Sequence, residues 1–369
     1  MTPLRAASGS FVRSDRWLWL AVLSLIPLGL VMVASAAELE VGQRVAPEAI
    51  RQGLYGLAGL AAMVGASRID YRWFQTGARV LFVGSLALLA AVIVVGVAQH
   101  GAQRWLSIGG MTLQPAEFAK LALAVALAAY GAERAPRVRN VLGSAGLLGL
   151  TAGLVLLQPD LGTVIVLTGA WLVFLIGWGV PWRTLAALVI TGAAVGPLAF
   201  AVAIPGYQRE RLAVFFDPSR DPLGSGFNLR QVEIALGTAG VTGHGLFSGA
   251  QSHLDSVAAR SSDFMFGFLG AELGLFGGLL LLTLLALLVW RGFTAAVRAS
   301  DAFGRLLAIA ITGIVLVQGG VNVAVNLRLF PATGIPLPFI SQGGSSLVVM
   351  LLCVGILQSI AARGQAPRR

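Results

Sequence analysis

Charge is what this sequence has least of. Only 11% of its 369 residues are Asp, Glu, Lys or Arg, where a soluble domain carries about 25%, so a single water-facing globular core is excluded. Lysine is all but missing: 25 of the 26 basic residues are arginine, and the exception is Lys120. The one cysteine, Cys353, excludes an intramolecular disulfide and a cysteine metal site; in its apolar run it reads as a small buried residue. His100, His244 and His253 have no metal-ligand spacing, so zinc chemistry has no support. No Walker or Rossmann glycine motif occurs, and no nucleotide cofactor is expected. The chain also lacks a fixed-period repeat and a low-complexity tract.

What it has instead is apolar length. Hydrophobic residues make up 57% of the chain and the mean hydropathy is +0.83. A helix spans a bilayer with about 20 apolar residues, so the composition allows on the order of ten spans. Apolar runs bounded by charge, Gly or Pro predict them near 17–37, 52–67, 79–97, 115–132, 141–157, 161–178, 184–204, 264–290, 305–326 and 341–362. The fold class is therefore an all-α polytopic membrane protein of about ten transmembrane helices. It divides into an N-terminal segment 1–16, a membrane domain 17–362 and a tail 363–369, with a large outer loop at about 205–262 between the seventh and eighth helices. Polar Ser and Thr among the first sixteen residues make the first run a retained span, not a cleaved signal.

The net charge of +10 and pI near 11.2 could suggest nucleic acid, but the charges are distributed by topology. With both termini on the cytoplasmic side, the inner segments hold Arg5, Arg13, Arg16, Arg68, Arg72, Arg79, Arg134, Arg137, Arg139, Arg183, Arg291, Arg298, Arg305, Arg363, Arg368 and Arg369. Their only acids are Asp15, Asp70, Glu133 and Asp301. Arginine-rich inner loops are the positive-inside signal, so the basic pI needs no nucleic-acid partner.

Several polar groups interrupt the apolar pattern. Glu117 and Lys120 are three residues apart at the start of the fourth span, hence on one helix face. Intramembrane ionisable groups are functional-site candidates, although a pair at the outer interface can equally fix helix orientation. GAQRWLSIGG (101–110) is too polar to span; it suits the outer interface, with Trp105 at headgroup depth and Arg104 toward lipid phosphate, or a plain anchor. In QPDLGT (158–163), Asp160 reads as a helix cap. Glycines 224, 226, 237, 240, 243, 245 and 249 permit φ > 0 and close approach in the long outer loop. Ser262 and Asp263 open the eighth helix, where the macrodipole favours a carboxylate and an ordinary cap is the plainer alternative. Glu272 lies nine residues on, out of phase with Asp263, so the two are not a glycosidase pair. Finally, FPATGIPLPFISQGGSS (330–346) leads rigidly into the tenth helix. Gly343, Gly344, Ser345 and Ser346 there suit either phosphate binding on backbone N–H groups or close helix packing.

Together these segments resemble the SEDS family of bacterial shape and division proteins. The resemblance runs from about residue 50 to 362 and rests on RQGLYGLAGL, IDYRWF, GAQRWLSIGGMTLQPAEFAKLAL, QPDLGT, FFDPSRDPLGSGFNLRQVEIALGTAGVTGHGLFSGAQS, SSDFMFGFLGAELGLFG and VNLRLFPATGIPLPFISQGGSS. It implies a peptidoglycan glycosyltransferase that polymerises lipid II on the outer face of the bacterial cytoplasmic (inner) membrane during cell elongation and shape maintenance. It implies as partners lipid II, the nascent lipid-linked glycan strand, a class B penicillin-binding protein acting as transpeptidase, and other elongation-complex proteins. The family's essential aspartate falls on Asp263 as catalytic residue, and its Glu-x-x-Lys pair on Glu117 and Lys120 as a supporting ion pair. Arg104, Trp105, Arg209, Arg211, Gln231, Ser341, Gly343, Gly344, Ser345 and Ser346 are candidate substrate-binding residues, and a divalent cation, Mg or Mn, is a candidate cofactor. Two stretches depart from the family pattern. HLDSVAARSS replaces a Leu-Pro-Glu and His-Thr sequence and puts Ser262 where relatives have Thr, leaving Asp255 as an internal competitor. Arg328 stands where relatives are smaller, as a candidate lipid-phosphate contact. The rival classes are a flippase for the lipid-linked precursor, a division-specific polymerase and a non-catalytic scaffold.

Overall fold

The computed structural model describes residues 14–37, 47–99, 102–108, 111–203, 206–221, 224–248 and 261–364. The chain before Ser14, the Asp255 alternative and the tail beyond Gly364 lie outside the described residues. The long helices are α1 (Arg16–Ala36), α2 (Pro47–Arg68), α4 (Ala78–Val95), α5 (Pro115–Ala132), α6 (Val138–Leu157), α7 (Leu161–Trp178), α8 (Trp182–Ala203), α11 (Met265–Arg298), α12 (Ala302–Asn326) and α13 (Gly344–Gly364). Shorter helices are α3 (Arg72–Thr76), α9 (Gly206–Phe216) and α10 (Ser225–Thr238). Eight of the described helices are long and apolar enough to cross a membrane. The two other expected spans coincide with α2, which carries Glu48 and Arg51, and with α8.

Burial separates the centre of the bundle from its rim. Helices α5, α12 and α13 bury residues on all sides, as expected for helices enclosed by others. Large apolar side chains such as Leu20, Val80, Val94, Leu142 and Ile176 are instead exposed on the periphery, where lipid is their solvent. Without a hydrophobic drive between helices in lipid, close packing depends on small residues. Helices α2 and α13 show this: a Cβ on Gly355 would lie 2.4 Å from the Met63 carbonyl oxygen, and one on Gly59 2.5 Å from Leu351 Cδ1.

The two ends of the bundle carry different chemistry. At one end Arg291 Nε donates to Asp15 Oδ2 at 2.9 Å, Arg72 pairs with Asp301 at 3.0 Å, and Arg363 lies 3.5 Å from Asp70. These are the acids expected among the inner arginines. At the opposite end gather the QPDLGT turn, the start of α5, the start of α11 and the segment before α13.

Four expectations change. The all-α description is incomplete: 97–113 forms a three-stranded antiparallel sheet, β1 (Val97–Gln99), β2 (Ala102–Ile108) and β3 (Met111–Leu113), in that order. Ile108 pairs with Met111 across a two-residue Gly-Gly connection, a hairpin signal that the polarity of this stretch obscured. The described part of the outer loop holds two helices, α9 and α10, and a 3₁₀ turn at Pro218–Arg220. The predicted 264–290 span is the longer α11, broken at Gly274 (φ 64°, ψ −159°). The predicted 341–362 span begins only at Gly344, because a turn precedes it in which the Ile340 and Ser341 N–H groups both donate to the Leu337 carbonyl.

Candidate active site

The sequence QGGVNVAVN repeats a polar amide every fourth residue, and on a helix that spacing makes a stripe. Gln318, Asn322 and Asn326 of α12 form it, all of them buried. Buried amides must find partners, and theirs define the site. Asn322 and Asn326 each donate from Nδ2 to the Asp263 backbone carbonyl at 3.0 Å. Asn326 Oδ1 accepts the Gly267 N–H at 2.9 Å, satisfying one of the donors left open in the first turn of α11. Asn322 also donates to the Ile335 carbonyl at 2.7 Å. The start of α11 is thereby bound to α12 and to the proline-rich segment before α13. Asp263 stands just ahead of α11, which begins at Met265 with Phe264 as its cap, so its carboxylate is not spent on capping.

That carboxylate faces cations. Gly334 has φ +74°, and a Cβ placed on it would lie 3.6 Å from both Arg211 Nη1 and Asp263 Oδ2. The two groups converge there on a point kept open by a missing side chain. Burial raises the Asp263 pKa above its ordinary value, while Arg211, a hydrogen bond from Ser262 and Arg104 pull it down and Asp160 pushes it up. Arg104 is anchored beside Asp160: its Nε donates to the Gln158 carbonyl at 3.0 Å, its Nη2 donates to the Pro159 carbonyl, and its Nη1 is 3.9 Å from Asp160. Asp160 caps α7 by accepting from Thr163 N (3.1 Å) and Thr163 Oγ1 (2.9 Å), and it also accepts from Gln114 Nε2 at 3.2 Å. It is both the expected cap and a member of the site.

Glu117 and Lys120 are each only 2% exposed. They are buried among helices, within the first two turns of α5. Lys120 Nζ is 2.8 Å from both Glu117 carboxylate oxygens and donates to Gln318 Oε1 at 2.6 Å. Gln318 Nε2 in turn donates to the Pro336 carbonyl at 3.0 Å. Through the amide stripe the pair is linked to the proline-rich segment that flanks Asp263.

The remaining candidates divide. Arg209 is exposed on α9, and a two-residue offset turns it away from the side that presents Arg211. Gln231 is half-buried on α10 and stands apart from these contacts. Trp105 is half-buried on β2, opposite Val97. The expected phosphate-binding terminus of α13 is occupied by the protein itself. Gly343 N donates to Gln52 Oε1 at 3.4 Å, Ser345 Oγ accepts the Gln114 N–H at 3.1 Å, and Ser346 Oγ lies 3.5 Å from Gln318 Nε2. A Cβ on Gly344 would meet the Tyr55 ring at 2.3 Å, so this glycine serves packing. Ser341 Oγ accepts the Leu337 N–H and donates to the Ser262 carbonyl, steadying the residue next to Asp263. Arg328 pairs with Glu233 at 3.0 Å, and both side chains are exposed. Among the described residues no three potential metal-ligating side chains come together.

Fold and site define a polytopic membrane protein with an acid and arginine group at one rim and a buried Glu–Lys pair behind it. The chain belongs to the FtsW/RodA/SpoVE family of cell cycle proteins, the SEDS family, which it matches over residues 15–365. It is 35% identical over 354 residues to the peptidoglycan glycosyltransferase MrdB of Escherichia coli (strain K12), covering 95% of this chain and 94% of that one. Among solved structures it resembles a chain of a peptidoglycan synthase complex that coordinates polymerization and crosslinking, with a TM-score of 0.83, 32% identity and coverage of 95% and 98%. It also resembles the rod shape determining protein RodA of Thermus thermophilus, with a TM-score of 0.71, 29% identity and coverage of 96% and 98%.

Proposed function

We propose that this peptidoglycan glycosyltransferase polymerises lipid II on the outer face of the bacterial cytoplasmic membrane, with both of its termini inside, and that Asp263 is its general base. One observation carries the reading: the Asp263 carboxylate and the Arg211 guanidinium face one open point beside Gly334. In the reaction the acceptor sugar hydroxyl of lipid II attacks the anomeric carbon of the lipid-linked glycan strand. Its proton passes to Asp263 as the new glycosidic bond forms. The bond to undecaprenyl pyrophosphate breaks, and the charge developing on that leaving group falls to Arg211 and Arg104, fixed donors that need no reorganisation.

Asp263 and Asp160 are carboxylates of the kind that hold Mg²⁺ or Mn²⁺ jointly with substrate phosphates, not a complete protein cage. Such a cation would add Lewis-acid neutralisation of the pyrophosphate. The likeness to a chain of a peptidoglycan synthase complex supports a class B penicillin-binding protein as partner.

Purified protein in lipid, supplied with lipid II and the partner transpeptidase, tests the assignment. Asp263→Asn keeps size and hydrogen bonding while removing the base. It is expected to abolish polymer while preserving the melting temperature and partner binding; a folded variant that polymerises at the parental rate refutes the base assignment. Parental protein that makes no polymer would favour the flippase or scaffold reading.

A further inference from the structure

A second acid has no part in this mechanism. Glu272 is wholly buried, and among the described residues no Lys or Arg forms an ion pair with it. Its Oε1 accepts from Ser35 Oγ of α1 at 2.5 Å, and the Phe247 and Ser248 backbone lies beside its carboxyl.

The reason lies two residues on. A helix broken at Gly274 leaves N–H and C=O groups without their partners four residues away. One segment, Gly240–Gly245, takes four of them. Leu275 N donates to the Gly240 carbonyl at 3.1 Å and Phe276 N to that of Val241 at 3.2 Å; His244 N donates to the Ala271 carbonyl at 3.0 Å and Gly245 N to that of Glu272 at 2.9 Å. His244 Nδ1 adds a second contact to Ala271 O at 3.0 Å. Only glycines allow this approach. A Cβ on Gly243 would lie 2.2 Å from Glu272 O, and one on Gly274 2.3 Å from Gly243 N. Beyond these bonds the segment is fastened by side chains. Ser35 Oγ accepts the Phe247 N–H at 3.0 Å while donating to Glu272.

The half-helix Met265–Leu273 is thus held at both ends. Asn322 and Asn326 hold its start, beside Asp263, and the Gly240–Ser248 segment holds its break. Freed at the break, it could pivot about the asparagines and swing Asp263 away from Arg211. Misplacing a reacting group by about 1 Å costs on the order of a hundredfold in rate.

We propose that Glu272 is a positioning residue for Asp263: by its hydrogen bond to Ser35 it staples the Gly240–Ser248 segment into the break of α11 and so fixes the direction of the half-helix that carries the base. The proposal rests on the polymerase reading and on Asp263 as its base.

The test compares the parental protein with Glu272→Ala, Ser35→Ala, Glu272→Gln and the double Glu272→Ala/Ser35→Ala, each in lipid with its transpeptidase partner. Melting temperature, hydrogen exchange over 240–248 and 265–276, and kcat and KM for lipid II are measured. Glu272→Ala and Ser35→Ala are expected to speed exchange in both regions and to lower kcat roughly ten- to a hundredfold, with KM within about twofold. The double variant is expected to be no worse than the worse single one, because one link is broken in all three. Glu272→Gln still accepts from Ser35 and is expected to restore most of kcat. Unchanged exchange, or an unchanged kcat in both folded single variants, overturns the proposal. So does a folded Glu272→Gln as slow as Glu272→Ala, which would make charge and not the hydrogen bond the requirement. A parental protein that makes no polymer overturns the polymerase reading instead, and the exchange comparison still decides the staple.

Discussion

Asp263 is pulled in two directions. Burial lifts its pKa, and Arg211, the Ser262 hydrogen bond and Arg104 oppose the lift. A general base must be ionised, so activity is lost as pH falls through this pKa. The acid limb of kcat/KM is therefore expected above the ordinary Asp value of about 3.9. Arg211→Ala removes a nearby positive charge and should move that limb to higher pH, whereas Asp160→Asn removes a negative one and should move it lower. Limbs that coincide in all three proteins would separate Asp263 from the titration. The Glu117–Lys120 pair poses a different balance. Two buried charges satisfy each other and Gln318, and removing one partner leaves the other uncompensated at a cost of about 3–5 kcal/mol. Both acids and the lysine were legible in the sequence as charge in apolar surroundings. The amide stripe leaves no such mark, although its four-residue period is present, because uncharged Asn and Gln do not bound an apolar run defined by charge, Gly or Pro.

At the scale of elements, α11 shows where apolar length misleads. Its run predicts one uninterrupted helix, and the 34-residue element is instead broken at Gly274. A glycine inside an apolar run looks like ordinary helix packing. Its φ of 64° with ψ of −159° is a conformation open to almost no other residue. Gly274→Ala is expected to destabilise the protein by about 1–3 kcal/mol, read as a lower melting temperature in lipid or detergent; an unchanged melting temperature would show that the helix can straighten without loss. The same contrast holds in the outer loop. Its glycine count suggested a shaped backbone, and the positive φ values fall on Gly240, Gly243 and Gly245, the stretch that enters the break, while Gly226 and Gly237 lie within α10.

For the whole molecule, the distribution of arginine carries the orientation. Sixteen of the 26 basic residues fall in the segments assigned to the inside, and the described inner acids Asp15, Asp70, Glu133 and Asp301 all pair with arginines there. A cysteine placed at Arg220 is expected to react with an impermeant thiol reagent added to intact cells, and one at Arg137 is not. Cys353 is buried and gives little background. Labelling at 137 but not at 220 would reverse the orientation and remove the proposed outer-face reaction.

The membrane bundle follows from composition and run length: in lipid the backbone is satisfied only in helices or closed barrels, and apolar runs of about 20 residues in an 11% charged chain fit helices. The sequence also determined which acids and which lysine were candidates, since ionisable groups stand out against hydrocarbon. Which residues meet depends on how the helices and loops pack. Arg211 and Asp263 converge at Gly334, Asp160 joins Arg104 and Gln114, and Glu272 is fastened to Ser35. These partners come from helices and loops far apart in the chain, and the α11 break is likewise held by backbone hydrogen bonds between segments, which leave no periodic trace in the residues that make them.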